Sequence, residues 1–140
     1  DVKEEAVPLL VEHLKEVTEG TGEEPYSINI QMYEMMEQTD NLKLIVARDK
    51  EDTIIGYAIC LIFEDYQRKG TTVCNVDTIY VDKAHRGGRV PIRLFKNIQG
   101  MCEEMRIDKI KMGMPMHNLQ PKLMARLGYV PTQVMYTRKM

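Results

Sequence analysis

At 140 residues and 16.2 kDa the chain has room for one domain, 1–140. A domain of that size buries about 70% of the surface its unfolded chain exposes, so it needs neither disulfides nor a structural metal to fold. Hydrophobic residues at 44%, charged residues at 29% and only 15 Gly and Pro together exclude collagen-like, low-complexity and disordered classes. The net charge of −2 hides an asymmetry, because residues 1–81 sum to −10 and residues 82–140 to +8. A folded basic half points to an anion site and an acidic half to a cationic partner.

No apolar run approaches the roughly 18 residues of a spanning helix, and Asp1-Val2-Lys3-Glu4-Glu5 does not read as a signal peptide, so a cytoplasmic protein without a membrane partner is expected. Cys60, Cys74 and Cys102 are odd in number, sit among apolar neighbours and lack metal-ligand spacing, which reads as buried thiols in a reducing compartment. His13, His85 and His117 are too scattered for a zinc set, so no metal site is expected.

In chain order, Val7, Leu10, Leu14 and Val17 predict a helix over about 5–19, ended by Gly20-Thr21-Gly22. Ser27 can cap a second helix carrying Ile28, Met32, Met35 and Met36 on one face, read as core filler. Leu42 to Arg48, Ile54 to Phe63 and Val73 to Val81 are β-rich runs separated by polar turns, predicting an antiparallel meander. After Gly87-Gly88 the period changes: Leu94, Ile98, Met101, Cys102 and Met105 predict a helix to about Glu104, with Pro91 in its first turn and Arg86, Arg89, Arg93 and Lys96 on another side. A strand at Lys109 to Met114, a helix from Asn118 to Leu127 closed by Gly128, and a strand at Val134 to Lys139 complete the order α-α-β-β-β-α-β-α-β. Met112, Met114 and Met116 alternate along one strand and its exit, read as core rather than channel.

The segment from Ile79 to Pro91 carries most of the chemistry. A strand that passes through a Gly-containing loop straight into a helix gathers unpaired N–H groups at the positive end of the helix dipole, an arrangement that binds phosphate. Gly87 and Gly88 allow close approach of a ligand, and Arg86, Arg89 and Arg93 add charge around the same mouth. Alone, a Gly-Gly before a helix reads equally well as a tight turn.

With the stretch from Val76 to Pro91, the apolar helix, the short strand and Leu127-Gly128-Tyr129 that follow, the chain resembles the GNAT superfamily of acyl-CoA-dependent N-acetyltransferases over roughly 42–140. The resemblance implies an α/β (α+β) fold with a mixed, mostly antiparallel sheet flanked by helices. It also implies acetyl-CoA as cosubstrate, held by the backbone of Ile79, Tyr80 and Val81 and by a pyrophosphate cradle of Arg86, Gly87, Gly88, Arg89, Val90 and Pro91. That cradle departs from the family pattern: Arg89 stands where the family has its first required Gly, and Pro91, which lacks an N–H, where it has Gly or Ala.

The family's catalytic pattern maps onto this chain with one gap. Asp77 aligns with a frequent acidic position and is the candidate base, acting through water; its bland reading is a strand-end carboxylate tied to a loop. His117 falls at the position of a common Asn and reads either as a pantetheine contact and proton shuttle or as a capping residue. Met124 falls where the family has its proton-donating Tyr and cannot donate, which leaves water, Tyr129 or His117. Glu34, Glu37, Asp40, Glu64 and Asp65 would face a cationic amine or basic protein acceptor in this fold; their bland reading is a solvated surface. The rival readings are a non-catalytic interaction module that keeps a CoA pocket and, last, nucleic-acid binding through the Arg stripe, disfavoured by the acidic half and the lack of interleaved aromatics. A homodimer is left open.

Overall fold

The computed structural model describes residues 2–21, 28–116 and 119–140. Helix α1 (Val2–Thr21) and helix α2 (Ile30–Gln38) precede strands β1 (Leu42–Arg48), β2 (Ile54–Glu64) and β3 (Thr72–Val81). A 3-10 turn (Lys83–His85) leads into helix α3 (Val90–Glu104), followed by strand β4 (Lys109–Met112) and helix α4 (Pro121–Arg126). The sheet order is β1-β2-β3-β4, antiparallel except for the parallel β3/β4 pair. This mixed α/β architecture, with the meander at 42–81, agrees with the reading of the sequence.

Each face of the sheet has its own core. Towards α3 lie Ala58, Cys60, Ile62, Cys74 and Val76, packed with Ile98 and Cys102; all three thiols are free and buried. Towards α1 lie Tyr57 and Tyr80 with Leu9 and Ile54. Strand alternation places residues two apart on one face, yet Cys74, Val76 and Ile79 all pack towards α3. The register explains how: Val76 opposes Cys60 and Thr78 opposes Ile59, so Asp77 is an extra residue in β3, a bulge that turns the strand.

Three expectations need correction. The segment from Val134 to Lys139 forms no strand, because β-propensity by itself does not make one. Helix α2 buries no residue, and Met32 and Met35 are exposed, so they are not core filler; Asn29 caps that helix by accepting from the Met32 N–H at 3.2 Å, and Ser27 lies outside the described residues. In α1 Leu9 is buried, with Ala6 and Leu10 packed beside it, whereas Val7 is exposed.

Candidate functional site

The parallel pairing of β3 with β4 stops at Val76 and Met112. Beyond it β3 continues from Asp77 to Val81 while the other chain leaves through Gly113, Met114 and Pro115, so the two strands part like a wedge. The wedge opens into a cleft of about 1790 Å³ that is also lined by α1, α2 and the start of α3. Met112 packs against the α3-side core, as expected, and also lines the cleft; Met114 lines the cleft too, whereas Met116, expected in the core, is exposed.

Asp77 reaches this cleft because of the bulge. Its Oδ2 accepts from the Tyr33 hydroxyl of α2 at 2.7 Å and from the Thr78 hydroxyl at 3.2 Å. Oδ1 has no protein donor among the described residues. Burial and then the bond to Asp77 push the Tyr33 phenol up to about 12, so Tyr33 holds its proton through the neutral range and acts as a donor.

The phosphate mouth is built differently from the expectation. Arg86 Nη1 and Nη2 donate to the two carboxylate oxygens of Glu16 in α1 at 2.6 and 2.5 Å, and Nε donates to the Val81 carbonyl at 2.8 Å. The guanidinium lies 5.1 Å above the centre of the Tyr80 ring, whose hydroxyl also donates to Glu16 at 2.9 Å. The bidentate bond from Arg86 holds the Glu16 carboxyl down to about 2. Arg86 therefore fastens α1 to the end of β3, a task that the spacing of residues 70 positions apart could not disclose.

Next to this pair, His13 stacks on Tyr80 with ring centres 4.4 Å apart and shares a 2.5 Å hydrogen bond with the Tyr57 hydroxyl. Burial lowers the His13 imidazole below its usual range and raises Tyr57. Sequence reasoning missed His13, Glu16, Tyr33 and Tyr57. The first two were within reach, since His13 and Glu16 follow Leu9 and Leu10 at helical spacing on the inward side of α1.

Of the other residues singled out, Ile79 packs towards α3, and Tyr80 and Val81 are buried with the cleft against them. Arg89 caps α3 in a right-handed conformation with no side-chain capping bond, Val90 and Pro91 open the helix, and a Cβ on Gly87 would meet nothing within 4 Å. Gly88 and Pro91 line the cleft. Tyr129 does not line the cleft, and burial raises its phenol. Met124 is likewise not in the lining, where Leu123 stands instead. His117 lies outside the described residues. Glu34, Glu37 and Asp40 line the cleft, with Glu37 paired to Lys3 and Asp40 to Lys43. Glu64 and Asp65 instead shape the β2–β3 turn, accepting from the N–H groups of Gly70 and Gln67.

Residues 9–129 match the model of a family described as the acetyltransferase (GNAT) family. The sequence finds no match among curated proteins. Similar solved structures include a tetramutant of the BH1408 protein from Bacillus halodurans, with a TM-score of 0.77 and 16% identity over 99% of this chain and 94% of that one. A ribosomal-protein-alanine N-acetyltransferase from Brucella melitensis biovar Abortus 2308 gives 0.71 and 20% over 98% and 92%. An aminoglycoside N-acetyltransferase, AAC(6')-Iy, in complex with CoA gives 0.64 and 22% over 79% and 85%. At these identities the likeness is one of fold.

Proposed function

Because the chain belongs to the acetyltransferase (GNAT) family, we propose that it is an N-acetyltransferase that moves an acetyl group from acetyl-CoA to a primary amine carried by a cationic acceptor, small molecule or protein. One observation carries this reading: the edge of β3 from Asp77 to Val81 faces the cleft unpaired by β4, and the bulge sets a carboxylate at its beginning. Unpaired strand N–H and C=O groups suit the amides of a pantetheine arm. The start of α3 offers N–H groups without a side-chain cap to a pyrophosphate, in the range from Arg86 to Pro91.

Bound acetyl-CoA supplies an activated acyl group with a thiolate leaving group. Asp77, steadied on Oδ2 by Tyr33 and Thr78, takes the proton of the amine through Oδ1 and a water. A backbone N–H of β3 past the bulge meets the oxyanion. Tyr129 does not line the cleft and Met124 has no proton to give, so the protonation of the thiolate is assigned to water. Glu34, Glu37, Asp40 and Asp77 outnumber Lys3 and Lys43 on the acceptor side of the cleft, which favours a cationic acceptor.

The Arg86–Glu16 pair favours a second reading, a GNAT-fold module that binds CoA weakly or not at all and does no chemistry. Two measurements separate the readings. Acetyl-CoA at about 100 times its dissociation constant adds about 2.7 kcal/mol of stability, roughly 8 °C in Tm at this size. Acetylation of polyamines and Lys peptides, with neutral amines as controls, should be selective for the cations and weaken as salt rises. An unmoved melting curve removes the enzyme; a shift without turnover leaves the module.

A further inference from the structure

Beside the carboxylate of Asp77 the cleft has an apolar floor. Thr78 of β3 opposes Ile59 of β2, and Ile59 opposes Leu44 of β1, so one row crosses three strands on the face towards α1. With neighbouring strands about 4.8 Å apart, the row extends about 10 Å from β3. Ala6 and Leu10 of α1 pack on the same side, and these four apolar residues are part-buried and line the cleft. The central strand shows the effect most plainly: from Ile54 to Cys60, β2 is buried at every position but Ile59. Apolar surface left wet inside a cleft favours a ligand that covers it. The charges around this floor point to a single cation. Glu37 is paired to Lys3, which also feels Glu34, and Asp40 is paired to Lys43. Asp77, in contrast, is met among the described residues by the hydroxyls of Tyr33 and Thr78 and by no cation.

We propose that the acceptor is an amine with one ammonium group joined directly to an apolar arm, the nitrogen at Asp77 and the arm over Ile59 and Leu44, against Ala6 and Leu10. The inference rests on the acetyl-transfer reading and narrows its acceptor. The chemistry is unchanged: the N–C bond of the amide forms as the thioester C–S bond breaks, the amine proton leaves through Asp77 and a water, and the thiolate takes its proton from water. A second ammonium on the arm would be stripped of water on this floor, and the row of Thr78, Ile59 and Leu44 offers no carboxylate to meet it. The same chemistry occurs in a free alkylamine and at a peptide N-terminus whose first side chain is large and apolar. Both present one cation beside apolar surface.

The test is acetylation by the full chain of unbranched alkylamines from ethylamine to hexylamine, which share one charge and differ in apolar length, with the diamine of hexyl length beside them. kcat/KM should rise by about fourfold per methylene, and the diamine should fall at least about tenfold below hexylamine. Leu44→Asn should flatten the rise for the longer amines with KM for acetyl-CoA unchanged, and Leu44→Ile should keep it. Short peptides beginning with Leu or Gly separate the two sources: a Leu preference of about tenfold assigns the arm to a peptide N-terminus, and equal rates assign it to a free amine. A flat series, a diamine that matches hexylamine, or a rise that survives Leu44→Asn would each overturn the inference and leave the acetyltransferase standing. A chain that acetylates no amine removes that reading and the inference with it. If Leu44→Asn does not fold, the native series decides alone.

Discussion

The two faces of the sheet are made from opposite materials. Towards α3 the contact is almost wholly apolar, with Ile98 and Leu94 at 0% exposure and three thiols for the only polar atoms in the cluster. Towards α1 the same strands present Tyr57 and Tyr80, and α1 answers with His13 and Glu16 rather than with aliphatic residues alone. Burial of polar groups costs free energy unless each is bonded, and here the phenols are bonded to His13 and Glu16, and Glu16 to Arg86. The α3 face holds the fold together by packing; the α1 face accepts a weaker, polar contact to form one wall of the cleft. Asp77, the extra residue where β3 changes its alternation, sits at the junction of the two.

The contrast breaks most sharply at that junction. Asp77→Asn should lower the maximal acetylation rate by about 10²–10⁴-fold, the usual size of a general-base effect, with acetyl-CoA affinity and Tm nearly unchanged. Wild-type turnover in this variant on the true acceptor would place the base elsewhere. On the α3 face the effect should be on stability alone: Ile98→Ala should cost about 2–5 kcal/mol in denaturant unfolding, the range for deleting a fully buried aliphatic chain. A loss under about 1 kcal/mol would mean that this core is far more compliant than its burial implies.

The α1 face should respond in the opposite manner, weakly in stability and visibly in binding. The Arg86–Glu16 pair is partly exposed, with side chains 38% and 30% accessible, so its loss should cost little stability. Glu16→Gln should free the guanidinium and tighten CoA by up to about tenfold, equivalent to about 1.4 kcal/mol, with less effect on dephosphorylated pantetheine. Equal changes for both ligands would show that Arg86 serves the fold and not the pyrophosphate.

Acid should separate the same groups by pH. Glu16 is held at about 2 against its ordinary 4.5, so its stabilising contribution is complete above 4.5 and fades as pH falls towards 2. His13 is lowered by burial from 6.5, so the unfolded chain takes up its proton first and stability declines as pH drops below 6.5. Unfolding curves for Glu16→Gln should lose the lower slope and those for His13→Gln the upper one; slopes that persist in both variants would assign the acid response to other groups.

Much of this arrangement was legible in the residues, and the parts that were not share a cause. The span of β1 and the meander could be read because β-rich runs and polar turns are local signals. Asp77 was visible as a carboxylate, yet the bulge that aims it exists only in the pairing of β3 with β2. Arg86 was visible as charge, yet its partner lies on α1. Val134 to Lys139 was read as a strand from propensity, which states what a segment prefers and not what it meets. Met32 and Met35 were placed in a core by their helical spacing, but α2 lies against the sheet on its Tyr33 side and leaves them in water.

The smallest expected effect is also the finest probe of the junction. Tyr33→Phe removes one of two donors to Asp77 Oδ2 and leaves the Thr78 bond, so the carboxylate keeps its place on the bulge but loses part of its alignment. A net hydrogen bond of about 0.5–1.5 kcal/mol corresponds to a loss of roughly two- to tenfold. It should fall on kcat, with KM for acetyl-CoA unchanged, because Tyr33 comes from α2 on the acceptor side. Since the Tyr33 phenol holds its proton up to about 12, it acts as a fixed donor and not as a titrating acid, and the pH–rate profiles of the native chain and the variant should run parallel from neutral pH to above pH 8. An alkaline decline present in the native enzyme and absent from Tyr33→Phe would instead make Tyr33 the proton donor that Met124 cannot be, and would move the acid of this site from the α4 side of the cleft to α2.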